Sequence, residues 1–197
     1  MRSIDVFGPP GVGKSTLVDD LWPPRCIEPD GETFPKDWAA FLACVSRLLE
    51  LIKDHESHRK CVSMINRSFR KMRTVGNIDS PKIYIQTGLA QRGLGIGWRL
   101  KDQERIAEYF ELMPVSLGVI MLTADVETIK RRNVERGKDR SYMVPLMVRP
   151  MQIAADVLQA RGVPFLKLDT CEPVEVNLER IHSFAGGSES DHRSKAA

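Results

Sequence analysis

The sequence has no long apolar run and few cysteines, and these absences exclude several classes of protein. No stretch approaches the roughly 20 consecutive apolar residues of a membrane-spanning helix. No apolar leader precedes the first predicted strand, so we expect no secretory signal. The four cysteines (Cys26, Cys44, Cys61 and Cys171) are scattered, with no C-x-x-C pair. This spacing favours free thiols over zinc or disulfides, and we expect a cytoplasmic protein with no membrane partner.

The chain also has no large excess of positive or negative charge, but its basic residues are unevenly distributed. The 197-residue chain is 42% hydrophobic and carries a formal net charge of +3, as expected for one globular domain. Residues 53–73 contain seven Lys or Arg against two acids, and residues 130–149 contain seven against two. Such clusters suit polyanionic ligands. The first cluster would equally fit the solvated face of a helix.

One motif carries a specific chemistry. Residues 8–15 form a complete GxxxxGK[ST] phosphate loop, preceded by a predicted strand (residues 2–7) and followed by a predicted helix. The glycines let backbone N–H groups turn toward a polyphosphate, and the helix N-terminus adds partial positive charge. Lys14 would reach the β- and γ-phosphates of ATP, and the Ser15 hydroxyl would ligate Mg²⁺. The residues predicted to bind the nucleotide are Gly8, Pro9, Pro10, Gly11, Val12, Gly13, Lys14, Ser15 and Thr16.

Elements of two other phosphate-loop classes are missing. The sequence has no Asn-Lys-x-Asp element, with which switch GTPases read the base, and no strand ending in paired acids, as in remodelling ATPases. It has instead an arginine-rich segment, which is typical of a kinase lid and here covers about residues 131–149. Arg132, Arg136 and Arg140 are its predicted catalytic groups, because guanidinium is always charged and binds phosphate bidentately. An exposed basic helix end is the alternative.

Strand and helix patterns alternate along the chain. Strands are predicted at residues 2–7, 25–28, 82–86, 117–122 and 163–168, and helices at residues 14–21, 36–53, 56–75, 103–113, 126–136, 147–161 and 174–184. The alternation predicts a parallel sheet covered on both faces, with ligands at the carboxyl ends of its strands. We expect one domain over residues 1–185 and a disordered tail over residues 186–197.

Along most of its length the chain resembles the thymidylate kinase family. Besides the phosphate loop, residues 28–32 look like that family's Arg-Glu-Pro-Gly-Gly-Thr turn, and residues 136–140 look like its Arg-x-Arg-Gly…Asp-Arg lid. Residues 88–95, followed by Trp98, look like its Leu-Ala-Tyr-Gln…Arg-Gly-Leu-Gly segment. The resemblance implies an α/β P-loop kinase three-layer sandwich, with a central parallel sheet, helices on both faces and an arginine-rich lid. It also places Gln91, Arg92 and Trp98 on the substrate side.

The sequence departs from that family at the end of the third predicted strand. The family has Asp-Arg there, whereas this chain has Gln86-Thr87, which leaves Gln86 on the substrate side without the acid. Phosphoryl transfer to a hydroxyl calls for a carboxylate that orients the nucleophile. Glu28 and Asp30 are the first candidates, and Glu28 would also contact substrate. Glu32 and Asp125 follow, and a turn-forming role for Asp30 is equally open.

The acceptor is the remaining question. Residues 53–73 lie where thymidylate kinase-like enzymes hold a monophosphate, and they are more basic than one small phosphate requires. Arg67 and Arg70 are therefore predicted to contact substrate. A DNA acceptor would explain the excess charge, since its phosphates position a strand without specifying sequence. A similar bacteriophage branch phosphorylates the hydroxymethyl group of 5-hydroxymethyluracil within DNA, which implies thymidine hypermodification in the host cytoplasm. The glycine-rich stretch near Trp98 and Tyr84 would then give room for a flipped base.

Two alternatives stay open at this point. One is a kinase of a free nucleoside, a dTMP-like nucleotide or another small molecule. The other is a nucleotide-binding regulator that has no acceptor. A homodimer is compatible with either.

Overall fold

The computed structural model describes residues 3–19, 38–76, 84–115, 117–137, 140 and 142–194. Within them a four-stranded parallel sheet has the order β2-β1-β3-β4. The strands are β1 (Ser3–Phe7), β2 (Tyr84–Gln86), β3 (Gly118–Thr123) and β4 (Phe165–Asp169). In this register Asp5 of β1 lies beside Gln86 of β2 and Val119 of β3. The parallel sheet predicted from the sequence is confirmed.

Eight helices connect and flank these strands within the described residues. They are α1 (Lys14–Asp19), α2 (Trp38–Glu50), α3 (His55–Gly76), α4 (Leu89–Leu100), α5 (Gln103–Leu112), α6 (Val126–Glu135), α7 (Met143–Ala160) and α8 (Val174–Ser194). Asp102 caps α5 as the sequence predicts, with its carboxylate accepting from the Arg105 N–H at 3.1 Å. Among the described helices, none is both long and apolar enough to cross a membrane.

The sheet separates two apolar cores because alternate strand residues face opposite sides. Ile4 and Val6 of β1 pack in a core that includes residues of α1 and α8. Phe7 belongs to a larger core built with α2, α3, α4, α5 and α7. Asp5 shares the face of Phe7, because side chains alternate along a strand. The result is the predicted three-layer α/β sandwich, with the phosphate loop at the carboxyl end of β1.

Two segments differ from the sequence-based expectation. Helix α8 continues past Gly186 to Ser194, where a disordered tail was predicted. Adding residues to a helix that is already formed is much easier than nucleating one, which accounts for the extension. The glycine-rich segment of residues 88–97 folds as the N-cap and first part of α4, where Gly93 and Gly97 allow close packing rather than leave room. A Cβ at Gly93 would meet Tyr109 at 2.5 Å, and one at Gly97 would meet Ile106 at 2.9 Å.

Part of the prediction lies outside the described residues. This applies to the predicted strand at residues 25–28 and to the turn at residues 28–32, which includes Glu28, Asp30 and Glu32. Cys26 is also outside them. The other three cysteines are free thiols, and Cys44 and Cys61 are buried.

Candidate functional site

The phosphate loop has the backbone that its glycines require. Gly11 and Gly13 have φ angles of +85° and +97°, a region that side-chain-bearing residues rarely adopt. The loop leads into α1, whose first turn contains Lys14 and the exposed Ser15. Lys14 Nζ donates to the carbonyls of Gly8 and Pro9, at 2.7 and 2.8 Å. These bonds hold the ammonium group over the loop, where it would meet a phosphate.

Positive charge reaches Lys14 from two sides. Burial, together with repulsion from Arg92 and Arg136, lowers the pKa of Lys14 to about 7. Arg92 comes from the start of α4, whereas Arg136 ends α6 in the predicted lid. Burial lowers the pKa of Arg92, and Arg67 of α3 acts in the same direction, whereas Asp5 and Tyr109 oppose them. Lys14 is therefore within electrostatic reach of one arginine from α4 and one from the end of α6.

A cleft of about 250 Å³ opens on the lid side of the loop. Its lining comes from the end of the phosphate loop, α1, the end of α6, the segment after β4 and the start of α8: Gly13, Thr16, Leu17, Arg132, Glu135, Arg136, Thr170, Glu172, Val174 and Asn177. Arg132 is fixed at its edge, donating to the Thr170 hydroxyl at 2.9 Å and to the Thr170 carbonyl at 2.8 Å. Asn177 is buried and donates to the Asp169 carbonyl at 3.0 Å, which holds the wall after β4.

On the opposite side of the loop lies the first turn of α4. Gln91 Oε1 accepts a hydrogen bond from the Gly8 N–H at 3.0 Å, so this predicted substrate residue contacts the phosphate loop itself. Arg92 Nε donates to the hydroxyl of the buried Ser68 of α3 at 2.8 Å. Gln91 therefore contacts the loop and Arg92 contacts α3, and their predicted contact with substrate stays a prediction.

Asp5 belongs to this site, and the sequence analysis did not find it. Its carboxylate accepts from the N–H groups of Gly88 and Ala90, at 2.6 and 2.8 Å. Burial raises the pKa of Asp5 to about 6, while these two N–H groups and Arg92 act in the opposite direction. The available signal was a lone acid inside an apolar strand, because a charge is costly there unless it has partners.

The remaining predicted residues are more widely placed. Trp98 lies two turns along α4 from Gln91, roughly 10 Å by the helix rise, and packs against the larger core. Asp125, a candidate base, caps α6 by accepting from the Thr128 N–H at 2.7 Å, and Thr128 holds the pKa of Asp125 well below its usual range. Arg140 is exposed between α6 and α7.

The other predicted residues lie on α3, at the end of β2 and in the phosphate loop. Arg67 and Arg70 lie on α3, and both are exposed. Gln86 ends β2 in register with Asp5. Pro9 is buried and Pro10 half-buried at the loop, whereas Val12 packs in the core beneath it.

The residues present fit Mg²⁺ delivered with a nucleotide. Ser15 is exposed in the first turn of α1, where its hydroxyl would ligate the ion. Among the described residues, no group of three or more His, Cys, Asp or Glu side chains is placed to hold a metal. Magnesium in kinases is held largely by substrate phosphates and water, so such a group is not required.

Comparison with known proteins identifies the fold. No protein-family model matches the chain, and no curated protein matches it in sequence. Deoxyadenosine kinase from M. mycoides with bound dATP is similar in structure, with a TM-score of 0.55 and 16% identity over 92% of this chain and 97% of that chain. The same enzyme with dCMP and a flexible dCDP gives a TM-score of 0.56, 16% identity and coverages of 94% and 99%. With dCTP the values are 0.51, 17%, 94% and 99%. The fold is that of the P-loop kinases.

Proposed function

We propose that the protein is an ATP- and Mg²⁺-dependent kinase that transfers the γ-phosphoryl group to a hydroxyl of a nucleoside- or nucleotide-type acceptor. The observation that carries this proposal is the placement of cations at the phosphate loop. Arg132 and Arg136 of the predicted lid line one cleft with Gly13. At the start of α4, Gln91 is bonded to Gly8 of the loop, and the next residue, Arg92, is bonded to Ser68. Negative charge on a transferring phosphoryl group is spread over its equatorial oxygens, and cations fixed around it stabilise that charge. A nucleotide-binding regulator needs cations for binding only, and not on the acceptor side.

Each part of the site has a role in this reaction. The loop N–H groups and Lys14 would bind the phosphates, and the Ser15 hydroxyl would hold Mg²⁺, which would neutralise phosphate charge when bound. The cleft beside Arg132 has room for the nucleoside part of ATP. Arg136 closes the site from the lid, and Arg140 follows it in the same segment. Glu28 and Asp30 are the proposed acids that orient the acceptor hydroxyl.

The acceptor side is proposed to be formed by α3 and the start of α4. Arg67 and Arg92 provide the positive charge there, and Gln86 and Gln91 provide amide groups that can hydrogen-bond a base. The nucleotides in the M. mycoides enzyme are deoxynucleotides. This supports a deoxynucleoside or deoxynucleotide as the acceptor class for the present chain.

A narrower proposal concerns the 5-hydroxymethyl group of 5-hydroxymethyluracil in DNA. Its support is the exposed basic face of α3, which is larger than a single phosphate requires. The exposed cations described there and just before it are Lys53, Arg59, Lys60, Arg67 and Arg70. Counterion release from a DNA strand would favour binding along such a face. This version also requires the base to be flipped out of the duplex.

The test is an acceptor assay with ATP labelled on the γ-phosphate. Deoxynucleosides, deoxynucleotides and single- and double-stranded DNA with or without 5-hydroxymethyluracil are offered in parallel, and the Lys14→Met variant is the control. Label that moves to an acceptor with the wild type but not with Lys14→Met supports the kinase. Label on free acceptors alone would exclude the DNA version. No transfer to any acceptor, despite tight ATP binding, would favour the regulator instead.

A further inference from the structure

The first turn of α4 is held by hydrogen bonds from four other parts of the chain. We call residues 88–92 the α4 entry. The Tyr109 hydroxyl of α5 donates to the Leu89 carbonyl at 2.8 Å. The phosphate loop holds Gln91 through the Gly8 N–H, and α3 holds Arg92 through Ser68, as described above. The fourth part is β1, through Asp5. A segment fixed at every residue cannot adjust freely when a substrate arrives.

Asp5 makes the central contacts of this arrangement. Helix α4 has Gly88 at its N-cap, which has no side chain to cap the helix. The Asp5 carboxylate fills that role from a neighbouring strand, with one oxygen on the Gly88 N–H and the other on the Ala90 N–H. A carboxylate at a helix N-terminus is also favoured by the helix dipole. Glycine is needed at position 88, because a Cβ there would lie 2.9 Å from the carboxylate.

We infer that Asp5 is a positioning residue for phosphoryl transfer: it fixes the α4 entry so that Arg92 is placed beside the phosphate loop on the acceptor side. This inference rests on the proposed kinase function. Arg92 lies two residues after Ala90, whose N–H group is bonded to Asp5, and one residue after Gln91, which is bonded to Gly8. Its guanidinium group acts electrostatically on both Asp5 and Lys14. Small displacements of such a group cost rate, because transfer depends on geometry.

The experiment is a double-mutant cycle between Asp5→Asn and Arg92→Gln in the full chain. Asparagine keeps the shape of the side chain but replaces one acceptor oxygen by an amide that opposes an N–H group. We expect Asp5→Asn to lower kcat/KM for the acceptor about tenfold or more while KM for ATP changes less than twofold. In the Arg92→Gln background the same substitution should change kcat/KM less than twofold, since Asp5 acts through Arg92.

The matched control is Asp102→Asn, which alters another capping aspartate at α5, away from the loop, and should leave kcat/KM unchanged. If Asp5→Asn does not fold, Gly88→Ala replaces it in the cycle, because the added Cβ displaces the same carboxylate. Equal losses in both Arg92 backgrounds, or a matching rise in KM for ATP, would overturn the inference. A wild-type protein that transfers phosphate to no acceptor would instead overturn the proposed function.

Amide hydrogen exchange gives a readout that needs no substrate. In the wild type the N–H groups of Gly88 and Ala90 should be protected, and Asp5→Asn should speed their exchange at least tenfold while amides of α5 and α7 stay unchanged. Unchanged exchange at these two amides would show that Asp5 does not hold the α4 entry.

Discussion

The amide of Asn133 lies against Gly11, so closely that a Cβ at position 11 would be 2.7 Å from it. Asn133 is buried in α6, and its Nδ2 donates to the Pro10 carbonyl at 3.2 Å. The lid helix and the phosphate loop are therefore in direct contact. A change in either one should therefore alter nucleotide binding.

Gly11→Ala should weaken ATP binding about tenfold or more, because it adds a clash with Asn133 to the strain of a positive φ angle. Titration calorimetry with ATP and Mg²⁺ measures this. Gly162→Ala is the matched control: Gly162 also has a positive φ, +68°, but nothing lies within 4 Å of its added Cβ. That variant should lose stability and keep its ATP affinity. Similar ATP affinities in the two variants would contradict the proposed contact.

Arg136→Ala should lower kcat about 10³-fold with little change in ATP affinity, because an arginine that acts at the transition state contributes mainly there. Arg131→Ala is the control, since Arg131 is an exposed neighbour on α6 that lies 3.9 Å from Glu135. It should retain nearly full activity. Equal kcat for the Arg136 and Arg131 variants would argue against a catalytic lid arginine.

Arg132→Ala should chiefly raise KM for ATP, because its bonds to Thr170 shape the cleft.

Gly93→Ala should destabilise the fold by about 1–3 kcal/mol, because its Cβ would overlap Tyr109 and Phe110 at 2.5 and 2.7 Å. Gly95→Ala in the same helix has only contacts at 3.9 Å, so it should stabilise α4 by up to about 1 kcal/mol through helix propensity. Urea denaturation of both variants measures the difference. If both lose the same stability, close packing of α4 on α5 is not the reason for Gly93.

Acid pH should favour the wild type over Asp5→Asn in stability. Asp5 is faced by Arg92 of α4 and by Tyr109 of α5. Burial raises its folded-state pKa from 3.8 to about 6, so between these values the folded state binds more protons than the unfolded state. The free energy of unfolding contributed by Asp5 therefore increases as pH falls through 6, by about 1 kcal/mol between roughly pH 7 and 5. Denaturation of both proteins across this range should show that divergence, and parallel curves would refute it.

DNA binding, if it occurs on α3, should weaken steeply with salt. Two phosphate contacts alone would cost about tenfold in affinity between roughly 50 and 200 mM salt. The double variant Arg59→Gln with Arg67→Gln should reduce both the affinity and the slope. Lys130→Gln with Lys167→Gln removes two exposed charges elsewhere and is the control. Fluorescence anisotropy with a labelled oligonucleotide measures all three proteins, and a flat salt response would exclude α3 as a DNA surface.

Much of the fold follows from local pattern. The phosphate loop and the described strands lie where the sequence predicts them, because apolar periodicity and glycine spacing act over a few residues. The contact of Gln91 with Gly8 was not part of the sequence-based prediction, which placed Gln91 and Arg92 on the substrate side. Helix α4 was harder to predict, because four glycines within ten residues argue against a helix. The reason for Gly93 and Gly97 becomes clear only when their close packing partners, such as Tyr109 and Ile106, are known.

The sequence by itself determined that a phosphate loop with Lys14 and Ser15 follows the first strand and that an arginine-rich segment comes later in the chain, because both are local motifs. Only the tertiary structure decided which charges meet. Asp5 and Gly88 are 83 residues apart, yet the parallel pairing of β1 with β2 brings the carboxylate onto the start of α4. The same pairing brings Gln91, the residue before Arg92, onto the Gly8 N–H of the phosphate loop. Contacts of this kind depend on how strands and helices pack, and no local pattern in the chain records that packing.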